Sequence, residues 1–143
     1  MKPALARCLP SYANTTVPAG RSREVIEELL RRVGVDAFRW TTINETEGIE
    51  FRWPRPEGSP IAFRLLIHFE SPSQRAQMLR VLYWYLKSKI EAVEAGLVDM
   101  EQEFLPHMLM PSGQTVYEAT VEAGSFERLA GPSTIALPEG RDR

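Results

Sequence analysis

The stretch SPSQRAQMLRVLYWYLKSKIEAVEAG, residues 71–96, decides the fold. It carries its own start signal, stop signal and apolar stripe. Ser71 can cap the first turn through its hydroxyl, Pro72 suits the first helical position because its missing N–H would be unpaired there anyway, and Gln74 completes a capping box. Gly96 supplies the left-handed residue on which helices end. Between them Leu79, Leu82, Leu86, Ile90 and Val93 recur every three or four residues and make one helical face, which Leu97 continues in register. At ~1.5 Å rise per residue such a helix is roughly 36 Å long, enough to cross a small domain. Val81, Trp84 and Tyr85 point away from that face, and only Arg80 and Lys87 keep the turn polar. A helix apolar on two sides needs two partners. The leucines call for a sheet, and Val81, Trp84 and Tyr85 call for the chain's own C-terminal third, a second copy or a ligand.

Upstream, the period of the sequence is two rather than 3.6. Phe38 and Trp40 alternate with Arg39 and Thr41, a polar turn follows over Asn44 to Gly48, and Ile49, Phe51 and Trp53 alternate with Glu50 and Arg52. The loop PRPEGSP, residues 54–60, leads into Ile61, Phe63, Leu65, Ile67 and Phe69. Three strands on short turns make an antiparallel meander, and its apolar face is what the leucine stripe covers. Before it, Ser22 caps a helix from Arg23 to Val33 that Gly34 closes, with Val25, Ile26, Leu29, Leu30 and Val33 on one face. After Gly96, Asp99 with Gln102 starts a short helix bearing Met100, Phe104 and Leu105, and Thr115 with Glu118 starts another that reaches about Ala123. The expected architecture is one α+β domain over residues 18–123: a three-stranded antiparallel meander packed on one long helix, with an N-terminal helix and short C-terminal helices. An arm over 1–17 precedes it and a flexible tail over 124–143 follows.

Composition places the chain in the ordinary globular class, at 143 residues with 43% hydrophobic and 25% charged. The lone Cys8 forbids an internal disulfide and leaves no cysteine zinc site. No apolar run approaches the ~20 residues of a membrane span, and the N-terminus lacks the apolar core of a signal peptide. A cytoplasmic protein with no membrane partner is expected. The net charge of −2 hides a division: residues 1–90 hold fourteen Lys and Arg against nine acids, whereas residues 91–127 hold eight acids and no base. That asymmetry permits an anionic partner at the basic end, head-to-tail self-association, or internal complementarity.

The search for chemistry finds no catalytic residue, no metal set and no call for a cofactor. His68 and His107 are too far apart in sequence to be a ligand-spaced pair, and no phosphate-binding loop, nucleophile elbow or dinucleotide fingerprint occurs. An enzyme would need a pocket around His107 and Glu103, and whether Glu103 to His107 lines a pocket or plugs the core is open at this level. One surface is patterned. If Phe38, Phe51 and Phe63 face the helix, then Arg39, Arg52 and Arg64 face outward together, where arginines can hold phosphates bidentately. Exposed strand positions are also simply often arginine, and Glu50 interrupts the patch.

The segments TTVPAGRSREVIEELLRRVG, KSKIEAVEAG and EFLPHMLMPSGQTVYE together resemble a family of small uncharacterised proteins encoded by bacteriophages, prophages and related mobile elements of bacteria. The resemblance spans roughly Tyr12 to Glu118, and its most distinctive part is the pairing of KIEAVEAG with EFLPHMLMPSGQTV. Where that family continues with Gly, Glu and Trp, this chain has Tyr117, Glu118 and Ala119. The resemblance implies a genetic setting and carries over no catalytic residue. The expectation is a non-enzymatic accessory protein that works by binding. Its partner is a protein or a second copy held by Val81, Trp84 and Tyr85, with nucleic acid on Arg39, Arg52 and Arg64 as the alternative.

Overall fold

A computed structural model describes residues 16–131. The elements run α1 (Ala19–Arg32), β1 (Ala37–Ile43), β2 (Thr46–Trp53), β3 (Ile61–His68), α2 (Pro72–Glu94), α3 (Met100–Phe104), a 3-10 turn (Leu105–His107), α4 (Val116–Glu122) and α5 (Phe126–Leu129). The strands form one antiparallel sheet in the order β1-β2-β3, the expected α+β meander. Cys8 and most of the expected arm and tail lie outside the described residues. Within the stretch read as a tail, α5 is one helical turn whose Phe126 ring stands 6.0 Å from that of Tyr117.

Alternation puts Ile49, Phe51, Phe63, Leu65 and Ile67 on one face of the sheet, all buried, with Phe38, Trp40, Trp53 and Ile61 packed around them. Two helices cover that face side by side. α1 contributes Ile26, Leu29 and Leu30, and α2 contributes the expected stripe of Leu79, Leu82, Leu86 and Ile90. They run in the same direction, since Arg23 and Arg75 near their starts reach one acid, and Arg32 and Glu94 at their ends pair at 2.5 Å.

The ends of α2 follow from its sequence. The Ser71 hydroxyl accepts from the Gln74 N–H at 3.2 Å, while the Gln74 side chain turns back to the Glu70 N–H at 2.7 Å rather than to that of Ser71. At Gly96, with φ +77°, the Leu97 N–H donates to the Ala92 carbonyl and the Gly96 N–H to that of Val93, both at 3.0 Å. The left-handed turn swings Leu97 off the helix. It is 78% exposed and does not continue the stripe.

Two local expectations are corrected. α1 starts a turn before Arg23, after extended Pro18, so Ser22 is a buried helical residue and not the cap. Ala19 packs against the core in that extra turn, which outweighs the poor helix propensity of Gly20. The first hairpin turn is also tighter than read. Ile43 stands opposite Thr46, so the turn is Asn44 and Glu45 alone, with Asn44 in the left-handed region at φ 53°. Glu47, read as turn, is therefore a strand residue on the core face.

Its side chain is wholly buried, at 0% exposure. Arg75 Nε donates to it at 2.7 Å, Arg23 Nε at 3.2 Å and the Thr42 hydroxyl at 3.0 Å. Burial by itself raises the carboxyl pKa. The hydrogen bonds from Arg75, Arg23 and Thr42 and the Arg23 charge together outweigh it and hold the group below the usual carboxylate range.

The last third starts in the core and ends on the other side of the sheet. Phe104 packs against Phe51 at 5.9 Å and Phe63 at 5.6 Å between ring centroids. The 3-10 turn then carries the chain round the outer edge of β3, where Met108 bridges Phe63 and the Leu109 N–H donates to the Ala62 carbonyl at 2.8 Å. A turn at residues 111–113 follows, and α4 begins on Thr115, whose hydroxyl and backbone N–H exchange hydrogen bonds with Glu118 in a capping box. Glu118 meets Arg64 on the face away from the core, at 2.5 Å.

Replacing Glu47 by Gln leaves Arg23 and Arg75 facing a neutral group. Because each guanidinium side chain is 30% exposed, the expected loss is about 3 kcal/mol, the low end for a broken buried pair. Urea unfolding at neutral pH measures it. A carboxyl with a lowered folded pKa stabilises above its unfolded pKa, and that contribution is lost as pH falls through the folded value. The wild type should lose this increment on acidification and Glu47→Gln should not. A variant within 0.5 kcal/mol of wild type, about the usual surface effect, would contradict the assignment.

Candidate binding cleft

The strap formed by residues 105–118 crosses the outer edge of β3 near its beginning only. Beyond Phe63 the strand runs on between α2 and α4 at the floor of a cleft of about 1180 Å³. Met78, Val81 and Tyr85 of α2 form one wall, Tyr117 and Val121 of α4 form the other, and His107 lies at the end where the strap crosses. Leu66 on the floor breaks the alternation of β3 by placing a leucine on the outer face. It lies over Gly48 of β2, where an added Cβ would stand 2.5 Å from Leu66 Cδ2. A smaller hollow of about 330 Å³ around Gly48, Ile43 and Thr41 continues the cleft across the sheet through Leu66 and Arg64.

Of the residues singled out from the sequence, Val81 and Tyr85 line the cleft and Trp84 does not. Trp84 is on the solvent side of α2, with Arg80 at 5.6 Å and Lys87 at 4.9 Å from its ring. Tyr85 is 45% exposed, and its hydroxyl lies 3.3 Å from His107 Nε2. The described part of the C-terminal third thus covers part of the second apolar side of α2 and leaves Trp84 43% exposed.

Arg39, Arg52 and Arg64 do share the outer face, and each has a carboxylate: Glu50 at 2.6 Å, Asp36 at 2.9 Å and Glu118 at 2.5 Å respectively. Glu50 stands opposite both Arg39 and Arg64 in the strand register. The Arg52 guanidinium pulls Asp36 below its ordinary pKa, and the hydrogen bonds of Glu118 with the Thr115 backbone and side chain, then with Arg64, do the same for Glu118. The surface is a row of ion pairs rather than a concentrated positive patch.

The EFLPH segment does both things left open by its sequence: Phe104 fills the core and His107 lines the cleft. Glu103 turns to Lys89, whose Nζ lies 3.0 Å from its carboxylate and 3.2 Å from its carbonyl. Burial lowers the pKa of His107 and the Lys89 charge lowers it further, with Glu103 opposing. His68 Nδ1 meets the Thr46 hydroxyl at 3.1 Å. Among the described residues no group of three or more His, Cys, Asp and Glu is placed to hold a metal ion, and no helix is long and apolar enough to cross a membrane.

Leu66 and Val121 were not singled out from the sequence, and Tyr117 was noted only as a departure from the resembled family. The leucine pair Leu65–Leu66 within an alternating strand was the available signal for the first. No family model, curated protein or solved structure matches the chain.

In an NMR pH titration His107 should titrate below 6.5, the ordinary histidine value. Lys89→Met should raise its midpoint and Glu103→Gln should lower it. Since the folded state holds this proton less well than the unfolded one, acidification through the ordinary histidine range should cost stability. A midpoint above the ordinary value would show that His107 does not sit as described.

Proposed function

We propose that this chain is a non-enzymatic binding protein that receives a protein partner in the cleft between α2 and α4. The carrying observation is the cleft itself: Leu66, Tyr85, Tyr117 and Val121 are 44%, 45%, 55% and 50% exposed, and four apolar side chains converge on one strand edge. Contiguous apolar surface rimmed by polar groups marks interaction sites on soluble proteins. At about 1180 Å³ the cleft exceeds the roughly 300 to 1,000 Å³ of small-molecule pockets, and a macromolecular segment fits it better. The motif resemblance supports placing the chain among accessory proteins of phages and mobile elements, a setting in which binding without catalysis suffices. Its nucleic-acid alternative has less support, because every arginine proposed for phosphate contact is matched by an acid.

Panning a random peptide display library on the wild type and on a Val81→Asp, Val121→Asp double variant tests this reading. One family of peptides should be enriched on the wild type and absent from the folded variant. Equal enrichment on both removes the cleft. Salt-dependent binding of labelled DNA or RNA, abolished when Arg39, Arg52 and Arg64 are all changed to Ala, would replace the reading with a nucleic-acid one.

A further inference from the structure

The floor of the cleft is a strand edge, and that specifies what can lie in it. Successive residues of a strand turn their backbone N–H and C=O to opposite sides. The Ala62 carbonyl accepts from Leu109, outside the sheet, while the Phe69 N–H donates to Glu45 on the β2 side. Even-numbered residues of β3 therefore face outward. Among the described residues, none hydrogen-bonds the backbone of Leu66 or His68 on that side. Beyond the bridge at Phe63, the edge from Arg64 to His68 spans roughly 13 Å, with Leu66 and His68 its unpaired outward residues among those described. It lies in line with the segment at Met108 and Leu109, which already begins a fourth antiparallel strand at Phe63.

We propose that the cleft binds an extended segment of another protein by strand addition to β3, and that the segment is apolar at its centre and basic at an end. This rests on the cleft being the binding site. An extended backbone is the one occupant that satisfies unpaired donors and acceptors along a strand while sending side chains alternately to two walls. Both walls are apolar here, with Met78 and Val81 on one side and Tyr117 and Val121 on the other. A second copy cannot offer the same edge, because its own α2 and α4 flank it and two clefts do not interdigitate. The charge follows from α4. Lys89 is matched by Glu103 and Arg64 by Glu118, whereas Glu122 has only the neutral Gln114 amide among the described residues, so the α4 rim is left negative.

Fluorescein-labelled KVYVTVK is the probe, read by anisotropy and by amide exchange of the 15N-labelled full chain. Binding should slow exchange at Leu66 and His68 together. Methylating alternate backbone nitrogens of the peptide, which removes its edge donors, should weaken binding at least about tenfold. The acidic-ended EVYVTVE should bind less well, with the difference shrinking as salt is added. Failure of KVYVTVK to bind, or binding that leaves both amides unprotected, overturns strand addition. In either case, library peptides that still depend on Val81 and Val121 preserve the cleft reading, and their absence removes both. Protection of the two amides on raising protein concentration without peptide would show a second copy on the edge and overturn the proposed occupant.

Discussion

A buried carboxylate held by two guanidiniums fixes the relation of the three main parts of this fold. Glu47 belongs to the central strand, Arg23 to α1 and Arg75 to α2, so one charged centre ties both helices to the sheet at their starts. An unpaired charge at that depth would be prohibitively desolvated, and each helix must present its arginine for the others to be tolerated. Such a cluster adds little stability over well-packed apolar residues. Its contribution is selection, because a helix displaced by one turn would take away one of the two guanidiniums that hold the acid. At the far end Arg32 and Glu94, 49% and 37% exposed, need no such burial, so the exposed pair tolerates motion that the buried cluster does not.

The cleft is a consequence of where the strap crosses. Phe104 commits the chain to the core beside Phe51 and Phe63, and the short 3-10 turn leads it over β3 at the nearest point, Ala62 and Phe63. Among the described residues, nothing then pairs with the edge at Leu66 and His68, which is flanked by α2 and α4. Exposed strand edges invite indiscriminate pairing, and recessing one between two helices is a way to keep it available to a slender chain alone. The opposite edge, β1, is managed differently. It carries Arg39 with its Glu50 pair, and cations from α1 lie over its aromatics, Arg23 over Trp40 at 4.7 Å and Arg31 over Phe38 at 5.0 Å.

The architecture was legible because it rests on periodicity and caps, which are local. Ser71, Pro72 and Gly96 bound α2 as read, the leucine stripe faces the sheet, and the inward strand residues lie where alternation puts them. Glu47 was not legible, for a reason that applies to buried charges generally: its surroundings in sequence, Asn44 to Gly48, are those of a turn, and only the pairing of Ile43 with Thr46 shows it to be strand. The arginine row was placed on the correct face. The acids that occupy it come from β2, from the loop before β1 and from α4, and the last of these, Glu118, is 54 residues from Arg64. Of the apolar trio on α2, Val81 and Tyr85 reach the cleft while Trp84 does not, a distinction set by where α4 lies and not by helical spacing alone.

The order in which the chain can assemble follows from the same strap. The hairpins join neighbours in sequence, and the strand β3 leads into α2 after three residues, so sheet and long helix can form from nearby segments. The Arg64–Glu118 clasp closes a loop of 54 residues and has no surface to grip until β3 and α2 are in place. Loop closure of that length is entropically costly and is rewarded only by prior structure. The cleft is therefore a late product of folding: a ribosome must release nearly the whole described chain before its second wall exists.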